Sequence, residues 1–428
     1  MEPGATRPAV SARFDDLGFD GTPRRLGIMG GTFNPVHQGH IDMARAAAAQ
    51  EKLSRVLFLP TGNPPHKREG LVDAEDRYRM AAAAIAQDDV LTPSRLEIDR
   101  TGVIYTVDTL TLLREKYPRA QLCFIIGMDT LLELQHWRSY EQVLSMCTFL
   151  VCPRQGAASP AEIEAERKRL TQLGGSFIYI SMPPVNISST EIRGALALGR
   201  ESALLPPAVM EYIRACGFYG VPNQLPMAKD WLPQLWEALS LKRFAHSLCV
   251  AFTARRLALL HGLDPVKAEA AGLLHDCAKC LPLPEMQRIC REHALTQDAS
   301  LLESGNLLHS IAGAYLAGSQ YHMNDPDVLQ AIACHTTGKV GMTELDMAVF
   351  LADKIEPSRA PYPSLEQVRA AAALSLPRAM LLSLEGTAKY VKKGGKPLHP
   401  ASQAVADWLR ASGQTTPPHQ YKEEHSND

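Results

Sequence analysis

Residues 25–51 read RLGIMGGTFNPVHQGHIDMARAAAAQE, and no other stretch limits the fold so tightly. Arg25 to Met29 are apolar enough for a short buried strand, Gly30 and Gly31 end it, and an Ala-rich helix begins near Gly39. The stretch is therefore a strand–loop–helix corner. Two glycines let a backbone approach a phosphate without Cβ atoms in the way, and the first N–H groups of the following helix attract anions. His37 and His40 stand three apart, so at a helix start they share a face and can both donate to one anion. Neither the P-loop spacing nor the G-x-G-x-x-G spacing of dinucleotide folds is present. By itself, H-x-G-H is equally compatible with an ordinary turn before an amphipathic helix.

The whole string G-G-T-F-N-P-V-H-x-G-H resembles the phosphate-binding signature of the nucleotidyltransferase superfamily, and within it the bacterial nicotinate-nucleotide adenylyltransferases. That resemblance implies a Rossmann-like α/β domain with a parallel sheet. It also implies transfer of AMP from ATP to nicotinate mononucleotide, with pyrophosphate released. Gly30, Gly31, Thr32 and Phe33 would surround ATP, with Asn34 on the nicotinate nucleotide.

Further along, VLFLP (Val56 to Pro60) reads as a second buried strand, followed by a Pro- and Gly-rich loop carrying His66 and Lys67. Those residues stand beyond a strand's carboxyl end, where open α/β sheets bind ligands. A solvated loop lysine is the plain reading, but P-x-G-N-P-P-H-K resembles the family, which implies that Lys67 neutralises phosphate. Ala74 to Ala86 is expected as a helix, and SRLEIDR (Ser94 to Arg100) as an alternating strand. Tyr105 and Thr106 precede a helix and serve equally as capping residues; the resemblance turns them toward the pyridine nucleotide. LCFIIG is a continuous apolar run fit for a central parallel strand, with Asp129 at its end, where it could meet a ribose or support a metal-bound phosphate and is assigned to the nicotinate nucleotide. Trp137 is a core residue on general grounds, but its spacing from G-M-D resembles the family's element that stacks on the nicotinate ring, a use for which a flat aromatic face is suited. A further strand ends at Arg154, assigned to the same nucleotide.

NISSTEIRGALALGR is the second strong signal. Ser188 with Glu191 three residues on is a capping box, so a helix starts at Ser189 or Thr190 and stops at Gly199. By itself the cap is an ordinary helix start; together with the first motif, I-S-S-T-x-I-R resembles the superfamily's second anion clamp, which implies that the helix's first amides, the Ser189 and Thr190 hydroxyls and Arg193, with Ser188 beside them, would hold ATP. By resemblance, His37, His40, Lys67 and Arg193 carry catalysis together with Mg²⁺. The likeness runs over about residues 25–220, so the domain is set at 24–220.

A chain of 428 residues exceeds one typical core, and the first half accounts for only part of it. With 46% hydrophobic and 21% charged residues it reads as globular. Net charge of −2 gives no general field for nucleic acid, and no run approaches the ~20 apolar residues of a membrane helix. Nine scattered cysteines suit reduced thiols in a cytoplasmic protein. Residues 1–23 are expected to be a disordered extension and 412–428 a disordered tail. A homo-oligomer stays open.

After an expected linker over 221–234, apolar residues recur at helical spacing near 235–261, 265–278, 284–293, 307–319, 325–337, 344–355 and 364–374, so 235–411 is read as all-α. His246, His275, Asp276, His309, His335 and Asp353 recur there as candidate metal ligands. Any one helical histidine is more often a core or surface residue. The order H…HD…H…H…D resembles the HD superfamily of metal-dependent phosphohydrolases. H-D-x-A-K, H-T-T-G and A-D-x-I-E-P-x-R further resemble its YqeK-like branch, which cleaves diadenosine tetraphosphate symmetrically to ADP. By that analogy His246, His275, Asp276 and Asp353 hold one metal, and Asp276 bridges to a second held by His309 and His335. Iron or manganese suits such ligands, and Lys279 and Arg359 are candidates for substrate phosphate. Cys277 and Cys280 form a C-x-x-C read as incidental. Other acceptors (nicotinamide mononucleotide, phosphopantetheine), another nucleotide at the second site, or a regulatory second half remain alternatives.

Overall fold

The computed structural model describes residues 25–62, 70–154, 159–395 and 398–413. Two compact units divide the chain, Met1–Asn223 and Gln224–Asp428.

In the first unit six strands form one sheet: β1 (Arg25–Gly31), β2 (Arg55–Pro60), β3 (Leu91–Pro93), β4 (Gln121–Gly127), β5 (Thr148–Cys152) and β6 (Ser176–Tyr179). Their order is β3-β2-β1-β4-β5-β6, with every neighbouring pair parallel. Helices cover both faces, which is why β1, β2, β4 and β5 are apolar runs instead of alternating ones. Leu26, Ile28, Phe58, Phe149 and Leu150 are buried to 2% exposure or less at the centre. The chain moves outward from β1 to β3 and then returns to place β4 on the other side of β1. A crevice opens at the carboxyl ends of β1 and β4, where such sheets receive ligands.

Ser94–Arg100, expected as a strand, is not one. The strand ends at Pro93, and the next residues turn: Asp99 N–H donates to Arg95 O at 3.0 Å, while the Arg95 guanidinium pairs with Asp99 at 2.8 Å and with Glu75. A local i,i+4 ion pair and its backbone bond won over the alternating pattern.

Among the described residues the second unit contains helices and no strand. The expected linker is narrower than 221–234, because helix Ala228–Ala238 begins inside it. That helix buries Trp231, whose indole N–H donates to Tyr321 O at 2.8 Å. The single segment expected over 235–261 breaks at Ser240, which caps Leu241–His261 by accepting from Arg243 N–H. Pro265–Leu274, Leu283–Glu292, Gly305–Ser319, Pro326–Cys334, Glu344–Ile355 and Leu365–Ala372 follow close to expectation, and the short Ala299–Leu302, with Leu376–Lys393 and Pro400–Ala411, completes the described helices. At Gly272 a Cβ would sit 2.7 Å from Ala251 Cα, so only glycine lets Pro265–Leu274 approach Leu241–His261 this closely. That contact sets His275 beside His246. No helix among the described residues is long and apolar enough to cross a membrane.

Candidate functional site

The crevice of the first unit holds a cavity of about 660 Å³. Gly30, Gly31, Thr32, His37, His40, Tyr105, Thr106, Asp129, Trp137, Arg154, Ser188 and Ser189, gathered from six separate stretches of sequence, all line it. Helix Gln38–Glu51 starts at its floor with His37 as cap residue. The two histidine rings stack with centroids 3.7 Å apart, and Phe33 meets His40 edge-on at 5.0 Å. A Cβ on Gly39 would lie 2.6 Å from Val185 and 3.1 Å from His37 Nδ1, so the glycine between the histidines is a packing requirement.

His37 N–H donates to His40 Nδ1 at 3.2 Å. That bond places the hydrogen of neutral His40 on Nε2, making it a donor to whatever occupies the cavity. Burial, with Arg154 nearby, pushes His37 down to about 4; burial, His37 and Arg154 hold His40 well below its ordinary value. At neutral pH the pair is therefore uncharged and offers hydrogen bonds.

The second motif is docked onto the first. Ser189 Oγ donates to Pro35 O at 2.9 Å, and Arg193 donates to Asn34 O at 2.8 Å and Thr190 Oγ1 at 3.2 Å. Ser188 closes its capping box with Glu191. Arg193, Thr190, Phe33 and Asn34 do not line the cavity. Phe33 packs on Phe58, and the Asn34 amide is consumed by Gly70 O, Val72 N and Tyr219 Oη. In this structure Asn34 and Arg193 therefore stitch the loop after the first strand together. His66 and Lys67 lie outside the described residues.

Asp129 pairs with Arg154 at 2.6 Å while its other oxygen, Oδ1, is buried without a partner. Trp137 packs edge-on against Phe124 at 5.8 Å. Arg138 lies 4.6 Å over the Tyr105 ring, and Glu97, accepting from Thr109 Oγ1 at 2.8 Å, reaches the cavity with its carboxyl raised by burial. Neither Arg138 nor Glu97 sits in a recognisable local pattern.

In the second unit the six expected residues come together. His246 is from helix Leu241–His261, His275 and Asp276 follow Pro265–Leu274, His309 is on Gly305–Ser319, His335 follows Pro326–Cys334, and Asp353 is on Glu344–Ile355. Asp276 stands between two groups. Its Oδ2 lies 3.5 Å from His275 Nε2 and 3.9 Å from His246 Nε2; its Oδ1 lies 3.0 Å from His309 Nε2 and 3.8 Å from His335 Nε2. Both triads, His246/His275/Asp276 and Asp276/His309/His335, are compact enough to hold an ion. Asp353 Oδ1 is 2.9 Å from His246 Nε2 and 3.9 Å from His275 Nε2.

The opposite ring nitrogens are already committed. Nδ1 of His275 donates to Gly272 O and that of His335 to Ile332 O, both at 2.7 Å; His309 Nδ1 bonds Gly305 O at 3.2 Å, and His246 Nδ1 bonds Glu356 Oε1 at 3.1 Å. With Nδ1 donating to a carbonyl, His275, His309 and His335 each turn an Nε2 lone pair into the cluster, as metal-binding imidazole requires, whereas His246 lies between two carboxylates, Glu356 and Asp353, that raise its pKa against its burial. His275 Nε2 is buried without a partner, and burial pushes its ring down to about 4, so it is a neutral donor atom aimed at nothing but this site. The donor set thus fits divalent cations.

Four cations surround the cluster. Arg243 donates to Asp276 at 2.9 Å, Lys354 pairs with Asp353 at 2.7 Å, Arg359 donates to Asp353 O and Oδ1, and Lys279 stands 3.3 Å from His309. Arg243 was findable, one helical turn before His246; Glu356, inside A-D-x-I-E-P, was findable as a carboxylate one turn after Asp353. Cys277 is buried against Gly313 O and Cys280 is exposed; all nine cysteines are free thiols.

The chain matches the cytidylyltransferase-like family over residues 28–195 and the HD domain over 243–358. A probable nicotinate-nucleotide adenylyltransferase of a Thermoanaerobacter species is 41% identical over 199 residues, 46% of this chain and 94% of that protein. A probable nicotinate-nucleotide adenylyltransferase/Ap4A hydrolase of Mycoplasma genitalium is 29% identical over 374 residues, 86% of this chain and 99% of that protein. A solved Clostridium acetobutylicum structure, described as a predicted HD superfamily hydrolase involved in NAD metabolism, is 36% identical, covering 43% of this chain and 97% of that one, at a TM-score of 0.42. The chain belongs to the nicotinate-nucleotide adenylyltransferase family and carries an HD domain behind its nucleotidyltransferase domain.

Proposed function

We propose that the protein is a bifunctional enzyme, transferring AMP from ATP to nicotinate mononucleotide in its first unit and hydrolysing diadenosine tetraphosphate to two ADP in its second. The stacked His37/His40 pair at a helix start, facing the cap of Ser189–Ala197 across one cavity, supports the first activity. The acceptor's 5′-phosphate attacks the α-phosphorus and pyrophosphate departs, so no protein nucleophile is required. Catalysis is positioning and charge stabilisation. His40 donates from Nε2 to the phosphates, the free amides of the two helix starts add further donors, and Arg193, Thr190 and Ser189 hold the loop in register. Lys67 is assigned to phosphate on its motif alone. Mg²⁺ enters as the counter-ion of the triphosphate. Tyr105, Thr106, Trp137 and the Asp129–Arg154 pair are left for the nicotinate nucleotide.

At the second site, His246, His275, Asp276 and Asp353 would hold one divalent metal, and Asp276, His309 and His335 another, with iron or manganese suited to the set. Such a pair supplies Lewis acidity toward phosphate oxygens and lowers the pKa of water. The chain's own part is to orient the imidazoles through Gly272, Gly305, Ile332 and Glu356, and to ring the site with Arg243, Lys279, Lys354 and Arg359. That ring favours a substrate with several phosphates. The observation carrying this reading is the placement of one Asp276 oxygen toward each histidine pair.

The test is incubation of purified protein, supplied with iron or manganese, with diadenosine tetraphosphate, the products resolved by chromatography beside His275→Ala. ADP alone, lost in the variant, is expected; ATP plus AMP would refute symmetrical cleavage, and no turnover in metal-loaded protein would refute the substrate. In parallel, ATP with nicotinate mononucleotide should yield pyrophosphate and the dinucleotide in preference to nicotinamide mononucleotide or phosphopantetheine as acceptor.

A further inference from the structure

We infer that Arg77 is a positioning residue for the triphosphate, an inference that rests on the adenylyl-transfer reading above. Arg77 is 1% exposed. Its guanidinium donates to four backbone carbonyls: Thr32 O at 2.8 Å, Thr61 O at 2.7 Å, Gly62 O at 3.2 Å and Val72 O at 2.9 Å. Among the described residues no carboxylate is ion-paired with it; Asp73 and Glu97 act on its charge only at a distance. A buried arginine satisfied by carbonyls alone is an expensive way to join two loops, since desolvating a charge costs more than neutral groups would need.

Its place explains the expense. Thr32 follows β1 and Thr61 follows β2, and both line the cavity. Parallel strands present carbonyl oxygens at their carboxyl ends, and these would repel a triphosphate entering the crevice. Arg77 takes those oxygens from behind, turning them away from the cavity and setting a fixed positive charge under the phosphate loop. Its fork geometry allows one side chain to hold both strand ends in register, which a lysine could not do. Trp137, by contrast, lies against Phe124 of β4. Arg77 should therefore act on ATP and leave the nicotinate nucleotide largely alone.

The test measures binding of Mg²⁺·ATP and of nicotinate mononucleotide by calorimetry, with steady-state rates, for the full chain and for Arg77→Lys and Arg77→Gln, each checked by thermal unfolding. Arg77→Lys keeps the charge without the fork; Arg77→Gln loses both. ATP affinity is expected to fall about tenfold in the first and a further tenfold in the second, with kcat falling alongside and the affinity for nicotinate mononucleotide changing less than twofold. Unchanged ATP affinity, or parallel loss of both ligands, overturns the inference. If Arg77→Gln does not fold, the split between the two ligands in Arg77→Lys decides alone. An unsubstituted chain that binds ATP yet forms no dinucleotide refutes adenylyl transfer while ATP affinity still reads the role of Arg77; one that binds no ATP overturns both.

Discussion

Six histidines serve the two regions, and they differ in what Nδ1 does. In the nucleotide cleft His40 Nδ1 accepts from the backbone, so Nε2 carries the hydrogen and the ring is a donor. In the HD cluster the Nδ1 atoms of His275, His309 and His335 bond backbone carbonyls, so Nε2 is a lone pair and the ring is a ligand. The same residue type is thus set to opposite chemistry by one hydrogen bond on its far side. A third grouping makes the same point. Ser300, His399 and Asp298 have the composition of a nucleophilic triad, but Ala401 N–H donates to His399 Nδ1, so His399 donates to Ser300 and Ser300 to Asp298. That histidine is not a base toward the serine; the group tethers the last helix.

The sharpest way to separate the two regions is to remove the shared carboxylate. Asp276→Asn replaces one oxygen with an amide nitrogen that cannot ligate, and both histidine groups lose their common partner. Hydrolysis should fall by about 10³-fold, with adenylyl transfer within about twofold of the unsubstituted chain. Assays of both reactions on one preparation check this, and surviving hydrolysis would move the active site elsewhere. The reciprocal change, His40→Ala, removes a donor from the cleft. It should lower adenylyl-transfer kcat by about 10²-fold while raising the KM for ATP far less, because the donor matters most where charge develops. Equal effects on both parameters would make His40 a binding residue only.

Glu356→Gln tests the far-side rule at lower cost. The amide oxygen can still accept from His246 Nδ1, at 3.1 Å in the present structure, but the negative charge that strengthens the imidazole as a ligand is gone. Metal affinity should drop about tenfold, read by competition with a chelator, with the fold unaltered. An unchanged affinity would mean that orientation, not charge, is what Glu356 supplies.

How much of this was legible beforehand follows from how local each signal is. The strand–loop–helix corner and the cap at Ser188 depend on spacings within a dozen residues, and both lie as expected. The metal-ligand candidates were also readable one by one, each at a helix or helix end. What fixes their tautomers was not read, although Gly272 and Ile332 stand three residues before their histidines and Gly305 four, a relation any helix offers. Arg77, Glu97 and Arg138 carry no such spacing: their partners are up to 45 residues away, as Thr32 is from Arg77. The strand misplaced at Ser94–Arg100 shows the opposite error, a clean period-two pattern overruled by one i,i+4 ion pair. For Asn34 and Arg193, the motif placed them at the ligand, whereas the structure spends Asn34's amide and much of Arg193's guanidinium on the loop itself.

The smallest expected effect is an absence. If His37 and His40 worked as imidazolium cations of ordinary pKa, ~6.5, adenylyl transfer would fall about tenfold per pH unit above neutrality. Burial instead pushes His37 down to about 4 and holds His40 well below its usual value, so both are neutral donors throughout the physiological range. Transfer should then stay level from about pH 7 to 9, with an acidic limb near pH 6 from protonation of the acceptor's phosphate. The stability link has a definite sign. A folded pKa below the unfolded ~6.5 means that the unfolded chain takes up protons first, so stability contributed by these rings is full above about pH 6.5 and is lost as pH falls toward 4. Rate profiles at saturating ATP, with thermal unfolding over the same range, check both limbs. An alkaline loss of kcat that His40→Ala abolishes would show that the cleft uses its histidines as charges, and the contrast with the HD cluster would then rest on ligand geometry alone.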